Sequence, residues 1–205
     1  MKVFSWFYYV AKCSLVIIFI TLLTIIPGEQ SQANNKQSPD QYDPELRKLL
    51  LEAIATTSSF EDRFEAEVWL LDMSNRLKRF VDDPEIRIKL LKRIHHEASR
   101  VNIEPEIILA LIEVESHFDE FAISVAGARG LMQIMPFWLD EIGTSDKNLF
   151  KPRTNLRMGC TILRYYLDIE KGNLFRALAR YNGSLGKRIY PDKVLKALNK
   201  RWFVQ

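Results

Sequence analysis

The sequence predicts a mainly helical fold, with at most one very short β-hairpin, and three observations lead there. Apolar residues recur at i, i+3/i+4 and i+7 along most of the chain beyond residue 44. Asp83-Pro84 and Glu104-Pro105 each place a proline where the first turn of a helix accepts one. The strict alternation of a half-buried strand is missing, apart from a weak pattern around residues 119–127.

The 205 residues are 47% hydrophobic and 27% charged, enough for one globular domain of ordinary core size with extensions. The net charge of +3 is small, and acidic and basic residues are interspersed rather than grouped. Such a pattern argues against nucleic-acid binding and leaves only a weak attraction to anionic polymers.

Residues 1–33 read as an export signal. Lys2 and Lys12 flank an aromatic stretch, Cys13 to Ile26 is uncharged, Pro27-Gly28 ends the run, and Ser31-Gln32-Ala33 offers small residues for cleavage. The uncharged run is shorter than the ~20 residues of a spanning helix. If Val3 to Ile26 acts as one segment despite Lys12, the alternative is an uncleaved anchor that associates with the inner membrane. Either way the remainder is exported. Val10-Ala11-Lys12 ahead of Cys13 is not a lipid-attachment signal. After cleavage Cys160 is the one cysteine left, so no intramolecular disulfide forms, and its helical setting suits a small buried residue.

Residues 34–43 are a polar linker, and residues 44–83 a helical extension. Its first helix, from Pro44, aligns Leu46, Leu49, Leu50, Ala53 and Ile54. A second is expected over Phe60–Val81, with Phe64, Val68, Leu71 and Leu77 among its apolar positions. Asp83-Pro84 opens residues 84–205, the main domain, with a capping side chain followed by proline. That helix runs through Ile86, Ile88, Leu91, Ile94 and His95. His95-His96 lacks further His or Cys at ligand spacing, so neither a metal nor any other cofactor is implied.

Glu104-Pro105 opens the next helix by the same device, with Ile107, Ile108, Leu111, Ile112, Val114 and Phe118 as its apolar set. A short helical turn is expected at Leu131–Met135, ended by Pro136, and a short helix over Phe137–Gly143. Residues 148–154 read as a loop punctuated by Pro152. Helices are then expected over Asn155–Glu170, where Gly159 allows another helix to come close, and over Leu174–Arg180, capped by Asn173. Pro191 starts the last helix, with Val194, Leu195, Leu198, Trp202 and Phe203 inward.

Glu115 is the anomaly in this pattern. A carboxyl among Leu111, Ile112, Val114 and Phe118 is expensive to ionise, so its pKa should rise toward neutrality, where it can act as a general acid. A carboxylate near a helix C-terminus is also poorly placed against the macrodipole, which makes a plain surface role a weak account. Glu113, two residues earlier, is expected on the opposite, solvated side.

Around Glu115 the residues carry a family resemblance. Glu115-Ser116, then Ser124 followed by Gly127-Ala128-Arg129-Gly130-Leu131-Met132-Gln133-Ile134-Met135-Pro136, and Tyr181-Asn182-Gly183 further on, resemble the soluble-type (SLT) lytic transglycosylases. These are relatives of goose-type lysozyme that cleave peptidoglycan. The likeness covers roughly residues 85–200 and implies a lysozyme-like α-helical domain working in the periplasm on glycan strands; no protein partner is indicated. It makes Glu115 the catalytic residue, with Ser124, Met132, Gln133, Met135, Tyr181 and Asn182 binding substrate. Ser124 and Tyr181 resemble residues near the acetamido group, Gln133 one that orients the acid or sugar, and Met132 and Met135 line the cleft. Arg180 departs from the pattern, standing where the family has a small residue before the tyrosine.

Glycosidases ordinarily use two carboxyl groups. Asp119, Asp140, Glu141, Asp168 and Glu170 are the other candidates, and none lies in an apolar pattern that would aim it at a cleft. The resemblance implies a single glutamate that protonates the bond between N-acetylmuramic acid and N-acetylglucosamine, aided by the substrate's N-acetyl group. The same residue then deprotonates the C6 hydroxyl, which closes a 1,6-anhydro ring. Two alternatives stay open: a lysozyme-type hydrolase of the same fold, and a non-catalytic peptidoglycan-binding module.

Overall fold

The computed structural model describes residues 59–60, 62–139 and 148–203. Within these the helices are α1 (Arg63–Leu77), α2 (Pro84–Arg100), α3 (Pro105–Ser116), α4 (Pro152–Ile169), α5 (Leu174–Tyr181) and α6 (Ile189–Ala197), closed by a π-turn, Leu198–Trp202. The fold is mainly α, as the periodicity predicts. The leader, the linker and the helix expected from Pro44 lie outside the described residues. Among those described, no helix is long and apolar enough to cross a membrane.

Helix α3 is the centre. It packs against α2, α6 and the π-turn, while α4 bridges α2 and α5, and α5 meets α6. Ile108, Leu109, Ala110, Leu111 and Ile112 are all 0% exposed. Five successive buried residues leave this turn no solvent side, the signature of a helix surrounded by others rather than one with a single apolar stripe. That corrects the expectation for Glu113. Its opposite side also faces protein, and it is buried against Arg201 and Trp202 of the π-turn.

The capping devices hold where a side chain can reach. Asp83 accepts from the amides of Glu85 and Ile86 at 2.8 and 3.0 Å, and Asn173 from that of Arg176 at 3.0 Å. Glu104 makes no such bond, so Pro105 alone marks the start of α3. In α1 the Asp62 cap sets the first turn at Arg63 rather than Phe60. The buried stripe is Ala66, Leu70, Met73 and Leu77, a true i, i+4, i+7, i+11 series. Phe64 and Val68, expected inward, are 72% and 52% exposed because they fall outside it.

Pro152 opens α4 instead of punctuating a loop, since a first helical position needs no amide donor. The helix therefore begins three residues earlier than expected, and Asn155 turns inward on its first turn. Leu131–Met135 forms no helix. Its residues make a turn pinned by two isolated bridges, Ile123 with Arg129 and Arg129 with Ile134, and these are all that stands for the expected hairpin. Of the helix expected at Phe137–Gly143, Phe137, Trp138 and Leu139 are described; Phe137 lies in a turn and the other two are helical. At the end of the chain the wider winding of the π-turn seats Trp202 at 0% exposure and leaves Phe203 outward at 57%.

Candidate active site

Glu115 stands on the last turn of α3 and opens into a cleft of about 310 Å³ shared with Asn182, Ser184, Lys187, Tyr190 and Lys193. Burial drives its carboxyl up from 4.5 to about 7, against a hydrogen bond from Tyr190 that pulls the other way. The Tyr190 hydroxyl donates to Glu115 Oε1 at 2.5 Å. Burial, then the charge of Glu115, holds that phenol well above its ordinary range, so it stays a donor wherever the carboxyl titrates. Tyr190 is delivered by the first turn of α6, which packs on both α3 and α5. Pro191 follows it within that turn, where a missing amide costs nothing.

The loop after α3 is clamped to the helix ends rather than left free. Ser116 Oγ donates to the Leu131 carbonyl at 2.8 Å. Asn155, fully buried, donates to the carbonyls of Arg129 and Leu149 and accepts from the Met132 amide. Gly130 is forced by this clamp: its φ is +73°, and a Cβ there would sit 2.5 Å from both Leu149 O and Asn155 Nδ2.

The candidate binding residues divide between this loop and the cleft. Asn182, the C-cap of α5, lines the cleft beside Glu115. Ser124 Oγ accepts from the Ala128 amide, and Gln133 Nε2 donates to the carbonyls of Ala122 and Gly130, so both side chains hold the loop to itself. Met135 is half-buried and is not among the residues lining the cleft. Met132 is no cleft wall. It is 0% exposed, and its sulfur fills the space above Gly159, where a Cβ would lie 2.3 Å away. Gly159 thus admits a methionine side chain, not another helix. The Met132 carbonyl in turn accepts from the Tyr181 hydroxyl at 2.8 Å. Tyr181 makes no hydrogen bond to Glu115, yet it lies near enough for that charge to add to burial in raising its phenol.

The other carboxylates are engaged elsewhere. Asp119 is exposed and accepts from the Phe121 amide, Asp168 pairs with Arg164, and Glu170 takes both Arg176 and Arg180. Asp140 and Glu141 lie outside the described residues. Arg180, the departure from the family pattern, is drawn to Glu170 at the end of α4. His95 stacks on Phe60 at 3.6 Å and bonds Ser59, and burial lowers its pKa to about 4. Among the described residues no three metal-binding side chains converge.

Tyr190, Asn155 and Ser116 escaped the sequence reading. Ser116 carried a signal, as the neighbour of Glu115. Tyr190 and Asn155 did not, because a tyrosine before Pro191 and an asparagine near Pro152 look like ordinary helix starts.

The family model of the transglycosylase SLT domain matches residues 92–201. The transglycosylase of Enterobacteria phage PRD1 is 30% identical over 109 residues, covering 50% of this chain and 40% of that protein. A membrane-bound lytic murein transglycosylase C from Haemophilus ducreyi is 41% identical over 136 residues, covering 62% of this chain and 32% of its own. The chain therefore spans between about a third and two fifths of the length of these relatives. Among solved structures, an inactive mutant of the lytic transglycosylase Slt from Pseudomonas aeruginosa overlays with a TM-score of 0.43 at 21% identity, covering 78% of this chain and 34% of its own. With more than half of its residues matched by the domain model, the chain belongs to the transglycosylase SLT family.

Proposed function

We propose that this protein is a peptidoglycan lytic transglycosylase of the bacterial envelope, cleaving the β-1,4 bond from N-acetylmuramic acid to N-acetylglucosamine with Glu115 as its one catalytic carboxyl. Family membership supports the reaction class, and relatives named as membrane-bound murein transglycosylases support the envelope setting. The observation that carries the mechanism is Glu115 itself: a carboxyl held near 7 by burial, facing a cleft in which no second carboxylate appears among the described lining residues.

In the first step the protonated carboxyl of Glu115 gives its proton to the glycosidic oxygen as the bond to C1 breaks. The positive charge growing at C1 meets no second carboxylate among the described residues lining the cleft, and the substrate's own 2-acetamido carbonyl takes that role. Glu115 is now ionised, and the Tyr190 hydroxyl stabilises this form through its hydrogen bond. In the second step the carboxylate removes the proton of the C6 hydroxyl, whose oxygen bonds to C1 and leaves a 1,6-anhydro end. The proton returns to Glu115 and no water is consumed. A pKa near operating pH serves both directions of transfer.

The test is digestion of purified sacculi, followed by mass spectrometry of the released fragments. Anhydro-ended products are expected. Reducing ends in their place would make the enzyme a hydrolase of the same fold, and intact sacculi would leave a binding module.

A further inference from the structure

Lys187 and Lys193 share the cleft with Glu115 and have no assigned part in its chemistry. Both are exposed, and among the described residues neither pairs with a carboxylate. Arg188 beside them is engaged, pairing with Asp192 at 3.4 Å and lying 5.6 Å over the Phe175 ring. The start of α6 adds to the same side. Its cap, Arg188, makes no side-chain cap hydrogen bond, so no capping side chain takes up the first-turn amides of α6. The macrodipole is positive at that end.

With Glu115 protonated, as a general acid must be, the described lining holds two ammonium groups and no negative charge, and Asp192 in the first turn of α6 is taken up by Arg188. Two like charges placed at a positive helix end gain nothing for the folded chain. An anionic ligand would account for them.

We propose that Lys187, Lys193 and the N-terminus of α6 form an anion subsite that holds a carboxylate carried on the saccharide next to the scissile bond. The inference rests on the peptidoglycan reading above and names the part of that substrate the cleft selects. Muramic acid can present such a group in two ways. Its lactyl ether ends in a carboxyl that is free in peptide-stripped strands, and in substituted strands the stem peptide brings carboxylates of its own. A chitin oligomer has the same ring and acetamido group with no carboxylate.

The test is calorimetric binding to the full chain carrying Glu115→Gln, which separates binding from turnover and from any influence of the lysines on the acid. The probes are chitopentaose, peptide-stripped glycan strands and peptide-bearing strands. Adding Lys187→Gln and Lys193→Gln together should lower the ratio of anionic to neutral affinity by roughly tenfold, as two solvent-screened charge contacts allow. It should also flatten the salt dependence of anionic binding. A loss on stripped strands identifies the lactyl carboxylate, and a loss confined to peptide-bearing strands identifies the stem; either supports the subsite. An unchanged ratio, or an equal loss on chitopentaose, overturns it. Failure of the functional reading looks different: sacculi stay uncut by the unsubstituted chain, while lysine-dependent binding of anionic strands persists.

Discussion

Glu113 and Glu115 stand two residues apart on the same buried helix and meet different partners. Glu113 meets the Arg201 guanidinium and accepts from the Trp202 indole N–H at 2.8 Å. Glu115 meets one phenol, and burial outweighs it. One carboxylate therefore fastens the end of the chain to α3, and the other keeps a proton near neutral pH.

Replacing Glu115 by Gln keeps size and removes the transferable proton. Activity should fall by at least ~10⁴-fold, the top of the usual range for a general acid–base group, because no second carboxyl lines the cleft among the described residues. Asp119→Asn should retain most activity, since that side chain is exposed and bonded to its own turn. Sacculus digestion by both variants decides; equal loss in two folded proteins would point to a two-carboxylate mechanism.

The same residue gives stability a pH dependence of definite sign. A carboxyl whose folded pKa exceeds its unfolded value stabilises below the unfolded value, and that contribution is lost as pH rises through the folded one. For Glu115 the window runs from about 4.5 to about 7. Glu115→Gln has no such loss, so its melting temperature relative to the parent should climb between pH 4 and pH 8. The ceiling is about 3 kcal/mol, and the open cleft keeps the observed gain below it.

Tyr190→Phe removes the donor that favours ionised Glu115. The descending limb of the pH–rate profile should move to higher pH, because the acid holds its proton longer. Rate should fall about 10–10²-fold, the worth of a hydrogen bond to a charged group. A merely structural tyrosine would lower the rate and leave the limb in place.

How much of this was legible depended on distance along the chain. Glu115 could be found because a carboxyl inside Leu111, Ile112, Val114 and Phe118 is anomalous within one helical turn. Asp83 and Asn173 could be read as caps for the same reason: their partners are two or three residues away. Tyr190 reaches its partner across 75 residues and Asn155 across 23, and neither leaves a local trace. Glu113 packs against Arg201 and Trp202 instead of solvent because helical periodicity gives the direction of a side chain and not what packs there.

That burial makes Glu113 and Arg201 a stability prediction. Their side chains are 8% and 23% exposed, so removing one partner strands a charge in a poorly solvated place. Arg201→Met should destabilise by about 3 kcal/mol in chemical denaturation. Adding Glu113→Met should restore much of the loss, although Trp202 then lacks its acceptor. A double-mutant cycle isolates the coupling.

Gly159→Ala tests the link from core packing to the site. The added methyl would meet Met132 Sδ at 2.3 Å, Cε at 2.7 Å and Cβ at 2.9 Å. The sulfur end can rotate, but Cβ is fixed to a backbone that Asn155 holds by the Met132 amide. Overpacking of this kind costs about 1–3 kcal/mol. Relief must move the Met132 backbone, whose carbonyl anchors the Tyr181 hydroxyl beside Glu115. Both melting temperature and rate should therefore fall in Gly159→Ala. Met132→Ala in the same chain removes the clash at the cost of a cavity, so it should recover the rate more fully than the stability. Rate loss that survives this second change would place the effect of residue 159 somewhere other than its contact with Met132.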